Sequence, residues 1–506
     1  MRWLARLAFL LCFAASSAHA AEDPPALAAA LFPPVKGELH TPGAQNKVFT
    51  EYAEMKAWLE GYAKEPGMEL ASLGKSQNGR DIWAVRLAGG TPVLRMMVFA
   101  RVHGNEPASS EAALQFIHEL TRGGLKAERQ KVEFLIIPVS NPDGSSDMKR
   151  LTASGIDINR DYTTTHQVET RILSKAFREF DPHLLVDLHE YTVWGRLGDK
   201  SSPFDLLVAA PNESNIPKAL VDHADMYYTE VVKALAGNGM RGGLYELLSM
   251  DKETGKLRVA ESATTFVSAK NFLGMPGRIS FIFEVRGIGL GNQHFERRTL
   301  AGVTALAAAL KTGIANADKT MQVLEQTRKE ILAATEWELV RKPVREERVY
   351  PLTDAATNTI QDVPATFTNR TGGTPGTKVA VPAAYIIPAD RKDIIEPLER
   401  MGVTCAILKQ DLQLDVEVQT IDTVQPDGNL YKGYPKQKVT ASVKKDSRAF
   451  KKGDFVIPTD QRNKLYLQVL ETASPSGFAT LRVLGDQPGA EAPVYRVMTA
   501  LPKDAI

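Results

Sequence analysis

Two short segments combine histidines and carboxylates at spacings that could bind a metal ion. The first is His103-Gly104-Asn105-Glu106, and the second is Asp187-Leu188-His189-Glu190. His103, Glu106 and His189 together offer two imidazoles and one carboxylate, a set that holds zinc and leaves a fourth position for water. The first segment alone has a simpler interpretation, a surface histidine followed by a glutamate that caps a helix. The second segment also follows an apolar run directly, which favours the metal site.

A single carboxylate ends another apolar run. Glu284 follows residues 279–283, where burying an unpaired charge would be costly. A salt bridge to Arg286 would explain this position without any catalytic role. The alternative is a general base beside the metal, because a carboxylate close to a dication can take a proton from water if its pKa is suitable.

Positive charge and amide donors follow the segment Asn141-Pro142-Asp143-Gly144. Arg150 could polarise a carbonyl group and stabilise the oxyanion that forms on attack. Asn159 and Arg160, directly after Gly155-Ile156-Asp157-Ile158, offer the paired donors that suit a carboxylate. Solvation at the surface is the alternative for these side chains.

The candidate residues lie at the ends of apolar runs that predict an α/β sheet covered by helices. Between about residues 49 and 316, apolar runs alternate with stretches of helical spacing. The predicted buried strands are 94–102, 132–139, 184–188 and 279–283, and the predicted helices include 111–120 and 169–180. Ligands gather outside the carboxyl ends of strands in such sheets, so His103 and His189 can meet there.

The later part of the chain has a different pattern. Residues 296–338 predict one long helical region that only Gly302 and Gly313 interrupt. Residues 342–377 are rich in Thr, Pro, Gly and Asn and predict a linker or loop. Beyond them, a strand-helix-strand unit over 384–408 and strict alternation over 412–418 predict a smaller β-rich region.

The composition argues against several classes of protein. The chain has 506 residues, 43% hydrophobic and 24% charged, which is ordinary for globular proteins and unlike a disordered or fibrous chain. Lys plus Arg total 61 against 60 Asp plus Glu, a net charge of +1. That balance gives no reason to expect nucleic acid or an anionic membrane as a partner. The length predicts two or three domains.

Residues 1–20 have the pattern of a secretory signal peptide. Arg2 and Arg6 are basic, residues 7–15 are apolar, and Ala18-His19-Ala20 is a small-x-small cleavage site. We therefore expect an exported protein, periplasmic or secreted, with no membrane contact after cleavage. Cleavage would leave Cys405 as the only cysteine, so no internal disulfide is expected.

Taken in order, these segments resemble the zinc carboxypeptidases of the carboxypeptidase A-like, or funnelin, family. The resemblance rests on the two histidine segments, Asn141-Pro142-Asp143-Gly144, Arg150, residues 155–160 and Glu284, and it covers about residues 49–316. Residues 73–82 also resemble the family's entry segment, and the tail resembles the extra domain of larger bacterial members. Each piece alone is weakly specific, but the ordered set is highly specific.

The resemblance implies a role for each candidate residue. The metal ligands, which would bind one zinc per chain, would be His103, Glu106 and His189. Glu284 would act as general base toward the attacking water and later as acid toward the leaving amine, and Arg150 would assist the scissile carbonyl. Asn159 and Arg160 would bind the free terminal carboxylate of a peptide substrate.

The patterns and the resemblance together predict an α/β fold with a mixed central sheet flanked by helices, followed by a smaller β-rich domain. The predicted segments are a signal peptide at 1–20, an N-terminal extension at 21–48, a zinc peptidase catalytic domain at 49–341 with a long C-terminal helical region, a linker at 342–377 and a β-rich accessory domain at 378–506. The oligomeric state is left open.

One feature departs from the family pattern. The family usually places a substrate-side tyrosine closer to the catalytic glutamate than any tyrosine lies here. The nearest is Tyr245, 39 positions before Glu284, and the region between them holds Ser262, Phe266 and Phe272. Loss of that hydroxyl would remove a donor to the substrate but neither the metal nor the base.

Three functions therefore compete. The first is a zinc metallocarboxypeptidase of the cell envelope that removes C-terminal residues from peptides. The second is a zinc amidohydrolase of the aspartoacylase type, which shares the His-Gly-Asn-Glu and Asn-Arg segments but acts on acylated amino acids. The third is a catalytically silent metal-binding or adhesion protein, which the intact Glu284 disfavours.

Overall fold

The computed structural model describes residues 22–431, 434–485, 487–502 and 504–506. The predicted signal peptide at 1–20 lies outside the described residues. The helices, in chain order, are α1 (Pro25–Leu31), α2 (Tyr52–Tyr62), α3 (Pro107–Thr121), α4 (Lys126–Arg129), α5 (Pro142–Ser146), α6 (Val168–Phe180), α7 (Lys218–Gly237), α8 (Ala269–Gly274), α9 (Phe295–Ala315), α10 (Ala317–Ala333) and α11 (Lys392–Arg400). Short 3₁₀ turns span Pro42–Ala44, Ile158–Arg160 and Lys464–Leu470.

The strands fall into a central sheet and smaller ones. In chain order they are β1 (Met68–Lys75), β2 (Asp81–Leu87), β3 (Leu94–Ala100), β4 (Val132–Ile137), β5 (Leu184–Thr192), β6 (Lys200–Ser201), β7 (Leu206–Ala209), β8 (Gly242–Leu244), β9 (Glu246–Met250), β10 (Leu257–Glu261), β11 (Ile279–Ile288), β12 (Glu336–Glu338), β13 (Arg341–Asp354), β14 (Thr359–Pro375), β15 (Lys378–Ala380), β16 (Ala384–Ile387), β17 (Ala406–Ile407), β18 (Leu412–Tyr431), β19 (Tyr434–Phe450), β20 (Phe455–Pro458) and β21 (Glu491–Val497).

The central sheet has the order β1-β2-β4-β3-β5-β11-β7-β8 in the described part of the chain. Its middle strands β4, β3, β5 and β11 run parallel to one another, whereas β1, β2 and β7 join by antiparallel pairing. The four predicted buried strands are these middle strands, and their side chains are almost wholly buried, as expected for parallel strands covered on both faces. The predicted mixed α/β class is confirmed.

Helices α3 and α9 pack against each other and against the middle of this sheet. The glycines that were predicted to interrupt the helical region lie inside α9 without breaking it. A Cβ on Gly302 would meet the Ala112 Cβ at 2.6 Å, and one on Gly313 would meet a Leu94 methyl carbon at 2.7 Å. The glycines therefore permit close packing of α9.

The prediction of one helical region over 296–338 is wrong in two respects. The chain bends by 84° between α9 and α10, at Asn316, and residues 336–338 form β12. Of the described helices, none alone has the length and hydropathy of a membrane span; α9 and α10 meet those criteria only as a bent pair.

The prediction of a linker or loop at 342–377 is also wrong. These residues form most of the antiparallel hairpin β13–β14, which lies in a sheet of order β6-β13-β14-β10-β9. Tyr350 and Leu352 alternate on one face and are buried with Phe367 and Val259. The prediction relied on the turn-forming composition of the segment. The alternation of buried and exposed residues along the strand is the stronger indicator of a β-strand.

The C-terminal region is β-rich, as predicted, with a sheet of order β17-β20-β16-β21-β18-β19. The predicted strand-helix-strand unit corresponds to β16, α11 and β17. Part of this region, including Tyr385 and Ile387 of β16, belongs to the hydrophobic core of the central sheet, whereas Ile386 and Val418 belong to a separate core. The Tyr466 ring, for example, stacks on Phe272 of α8 with 4.4 Å between ring centroids.

Candidate active site

The three predicted metal ligands converge at the carboxyl ends of β3 and β5. The Glu106 carboxylate lies 2.8 Å from His103 Nδ1 through one oxygen and 2.8 Å from His189 Nδ1 through the other. The two Nδ1 atoms are themselves 3.0 Å apart. All three side chains are buried, and among the described residues this is the cluster of His, Cys, Asp and Glu that could hold a metal ion.

The local structure explains how His103 and Glu106 come together. His103 follows β3, and Glu106 occupies the N-cap position of α3, where Pro107 begins the helix. The Glu106 side chain makes no capping hydrogen bond and points to the histidines instead. The simpler interpretation of a capping glutamate beside a surface histidine is therefore wrong.

Two further carboxylates hold the outer nitrogens of the histidines. Asp157 Oδ1 lies 3.0 Å from His103 Nε2, and Asp187 Oδ1 lies 2.8 Å from His189 Nε2. A carboxylate beside each Nε2 favours an imidazole proton on that nitrogen, which leaves the Nδ1 lone pairs directed at the common point. Two lone pairs 3.0 Å apart repel each other unless a cation or a proton lies between them, so the donor set fits a metal ion.

The electrostatics of the cluster also favour a cation. Burial opposes ionisation of Glu106, yet the neighbouring His103 and His189 hold the pKa of its carboxyl well below its usual range. Burial likewise disfavours a charged His189, but the Asp187 and Glu106 carboxylates raise its pKa well above the ordinary value. The cluster thus attracts positive charge, which a proton or a metal ion can supply.

Glu284 lies directly beside this cluster. It pairs with His189 in the parallel register of β11 and β5, so both side chains emerge at the same edge of the sheet. Burial raises the pKa of Glu284 to about 7, although His189 acts to lower it. A carboxyl group that changes protonation near neutrality suits proton transfer.

The alternative partner of Glu284, Arg286, is bound elsewhere. Both Arg286 Nη atoms donate to Asp23, at 2.6 and 2.7 Å, and the guanidinium lies 4.0 Å from the Phe32 ring centre. The proposed Glu284–Arg286 salt bridge is therefore wrong. Asp23, near the start of the described chain, neutralises Arg286 instead.

Arg150 points into the same cluster. Its guanidinium donates to Glu106 at 3.3 Å and to Asp157 at 3.0 Å. Burial works against its charge, but these carboxylates raise the pKa of Arg150. The arginine is therefore a fixed cation beside the predicted metal ligands, and solvation at the surface does not describe it.

The Asn159–Arg160 pair lies in the short 3₁₀ turn after Asp157. Asn159 Oδ1 accepts the backbone N–H of Ala269 at 2.7 Å, and Asn159 Nδ2 lies 3.3 Å from His189 Nε2. Arg160 donates to the backbone carbonyl of Asn159 at 2.6 Å. The pair is thus fixed between the predicted metal ligands and α8.

All seven predicted site residues except His189 line one cavity of about 320 Å³. His189 lies directly behind the cavity wall, in contact with Glu106. The cavity also holds Tyr245, whose hydroxyl faces Glu284, and burial together with that carboxyl raises the tyrosine pKa. The site therefore has a tyrosine hydroxyl after all, supplied by the segment between β8 and β9.

Four site residues were not predicted from the sequence. The first is Asp187, which lies two positions before the predicted ligand His189 on the same strand. Residues two apart share a face of a strand, so this spacing could have indicated that Asp187 lies beside His189. Asp157 lies in a segment that was recognised but given no role. Nothing in the local sequence indicates that Tyr245 or Lys270 lines the cavity, because both reach it through long-range folding.

The comparisons with known proteins agree with the geometry. Residues 55–195 match the zinc carboxypeptidase (peptidase M14) family model. "Carboxypeptidase 2" of Trichophyton rubrum is 28% identical over 80% of this chain and 76% of its own length. "Carboxypeptidase SOL1" of Arabidopsis thaliana is 31% identical over 18% of this chain and 21% of its own.

The chain also has a partial likeness to solved structures. A metallo-carboxypeptidase from Burkholderia cenocepacia superposes with a TM-score of 0.40 at 18% identity, covering 52% of this chain and 69% of that one. The family model contains the segment with His103, Glu106 and His189, and the fungal relative extends the likeness over most of the chain. In these two comparisons the chain is similar to carboxypeptidases.

Proposed function

We propose that this chain is a zinc metallocarboxypeptidase that hydrolyses the C-terminal peptide bond of peptides. The observation that carries the proposal is the convergence of His103, Glu106 and His189 with Glu284 on the adjacent strand. Two imidazoles and one carboxylate are the ligand set of zinc hydrolases that keep one position open. One zinc per chain follows, because the described residues offer one such cluster.

Zinc in this cluster would polarise the scissile carbonyl and lower the pKa of water. Glu284 takes the proton of the attacking water on its carboxylate and returns it to the leaving amine nitrogen. Its raised pKa, about 7, suits both transfers at neutral pH. Arg150, fixed by Glu106 and Asp157, donates to the oxygen on which negative charge develops.

Arg160 and Asn159 bind the terminal carboxylate of the substrate in this proposal. Both line the cavity, and a guanidinium is suited to bidentate binding of a carboxylate. Tyr245 offers a further hydroxyl donor on the same wall as Glu284. A substrate with a free carboxylate would thereby be held with its last peptide bond beside Glu284.

The amidohydrolase alternative shares the ligand segments but predicts other products. The named carboxypeptidase relatives favour the first function, and the buried Glu284 disfavours a silent protein.

We also propose export, because residues 1–20 have the signal pattern. Asp23 is buried just after the expected cleavage point, so the mature chain would be anchored almost from its first residue. N-terminal sequencing of the exported protein tests this point.

A mass-spectrometric screen of mixed peptides tests the function. Each peptide is incubated with the enzyme alone, with a chelator, and with the chelator followed by zinc. We expect stepwise loss of C-terminal residues, abolished by the chelator and restored by zinc, with amidated peptides left intact. Release of acyl groups from acylated amino acids instead would support the amidohydrolase, and full activity in chelator would overturn the metal mechanism.

A further inference from the structure

Lys270 is a buried cation in the wall of the catalytic cavity. It lies in α8, is 1% exposed, and lines the same cavity as Glu106 and Glu284. Its ammonium group donates to the side-chain oxygen of Asn212, to the carbonyl of Ala263 at 3.2 Å and to Asn271 Oδ1 at 3.2 Å. All three acceptors are neutral oxygens.

This lysine has no carboxylate counterion within ion-pair distance among the described residues. The acid whose charge acts on it, Glu261, uses its carboxylate to accept hydrogen bonds from Arg370 and Thr371 of β14. Burial therefore lowers the pKa of Lys270 to about 7. A buried ammonium group without a counterion is unfavourable, and an incoming carboxylate would relieve that cost.

Two other charged groups of the cavity wall already have partners of opposite charge. Arg150 pairs with Glu106 and Asp157, and Glu246 pairs with Arg348 at 2.6 Å. Lys270 thus differs from these groups because its charge has neutral partners only. A ligand that carries one additional carboxylate would give Lys270 the counterion that it lacks among the described residues.

The position of Lys270 suits the last residue of a substrate. The backbone N–H of the preceding residue, Ala269, donates to Asn159, so α8 is fixed to the proposed carboxylate-binding pair. The cavity volume of about 320 Å³ is at the lower end of the range for small-molecule pockets, which fits a terminal residue. The side chain of that terminal residue would then lie in the same cavity as Lys270.

We propose that Lys270 binds the side-chain carboxylate of a C-terminal aspartate or glutamate, so that the enzyme selects peptides with acidic C-terminal residues. The inference rests on the proposed carboxypeptidase function and adds its substrate class. The terminal carboxylate is assigned to Arg160, and the additional carboxylate to Lys270.

The test compares kcat/KM for peptides that differ only in the last residue, Glu or Gln. The zinc-loaded wild-type enzyme should prefer Glu by about ten-fold or more, as expected for a hydrogen bond to a charged group. Lys270→Met should lose this preference by cleaving the Glu peptide more slowly, while the Gln peptide stays within about three-fold. Lys311→Met, at an exposed position on α9, should behave as wild type.

The outcomes separate the two proposals. Cleavage of no peptide would overturn the carboxypeptidase function itself. Cleavage without preference for Glu over Gln in the wild type would overturn only the role of Lys270. This comparison uses the wild-type enzyme alone, so it does not depend on whether a variant folds. Equal losses on both peptides in Lys270→Met would assign the lysine to the terminal carboxylate and overturn the side-chain proposal.

Discussion

Gly104 lies against Gly144 so closely that a Cβ on Gly104 would fall 1.9 Å from the Gly144 carbonyl carbon. This contact joins the segment that carries two of the predicted metal ligands to the Asn141-Pro142-Asp143-Gly144 segment. Asn141 Oδ1 accepts the Gly144 N–H at 2.9 Å, which fixes the turn on the other side of the contact. The glycines of both segments are therefore required by packing next to the metal site.

We expect Gly104→Ala to destabilise the chain and weaken zinc binding. The obstacle is backbone, which cannot rotate away, so the cost should be at least about 2 kcal/mol of unfolding free energy. Denaturant unfolding and zinc titration measure both effects. Gly61→Ala is the matched control, because a Cβ on Gly61 in α2 would meet no other atom within 4 Å, and alanine there should be neutral or slightly stabilising. Unchanged stability and zinc affinity in Gly104→Ala would contradict the packing argument.

Asp187→Asn should weaken the metal site without touching the metal ligands. The Asp187 carboxylate lies 2.8 Å from His189 Nε2, and the substitution removes the negative charge that favours the imidazole proton on that nitrogen. We expect zinc affinity to fall about 10- to 100-fold, measured by competition with a chromophoric chelator. Asp362→Asn, at a position on β14 away from the site, is the control. Equal zinc affinities for the two variants would refute this role of Asp187.

Glu284→Gln should separate catalysis from metal binding. The amide keeps the size of the side chain but cannot take a proton, so turnover should fall about 10²- to 10⁴-fold. Zinc content should remain at one per chain, because Glu284 is not one of the three converging ligands. Glu253→Gln, at an exposed turn, should retain wild-type turnover. Retained turnover in Glu284→Gln would remove it from the role of general base.

Local sequence was sufficient for the elements that carry the metal ligands. Buried parallel strands are continuous apolar runs, so β3, β5 and β11 were visible, and the residues just beyond them were the natural candidates. The convergence of His103, Glu106 and His189 followed from that placement and from the family resemblance.

Features that depend on distant pairing were not predictable in the same way. The hairpin β13–β14 has a turn-like composition, and its burial depends on β10, about a hundred residues earlier. Tyr245 and Lys270 line the cavity, but the sequence around each of them contains no motif that indicates a binding or catalytic role. The bend lies at Asn316, where the sequence has neither glycine nor proline, whereas Gly302 and Gly313 lie inside α9 and permit close contacts.

The ion pair between Asp23 and Arg286 predicts how stability depends on pH. Burial would raise the pKa of Asp23, but hydrogen bonds and charge from His294 and Arg286 lower it to about 2. Because the folded pKa lies below the unfolded value, the stabilisation is complete above about pH 4 and is lost as the pH falls toward 2. A shift of this size corresponds to roughly 2 kcal/mol.

Asp23→Asn should therefore be less stable than the wild type by roughly 2 kcal/mol or more at neutral pH, since Arg286 is also left without its counterion. The difference between the two proteins should shrink as the pH is lowered from about 4 to about 2, because protonation removes the same charge from the wild type. Denaturant unfolding at a series of pH values measures this difference, with Asp362→Asn as the control for a carboxylate outside the ion pair. A difference that stays constant over this range would mean that Asp23 stabilises the fold by packing and neutral hydrogen bonds, and not by its charge.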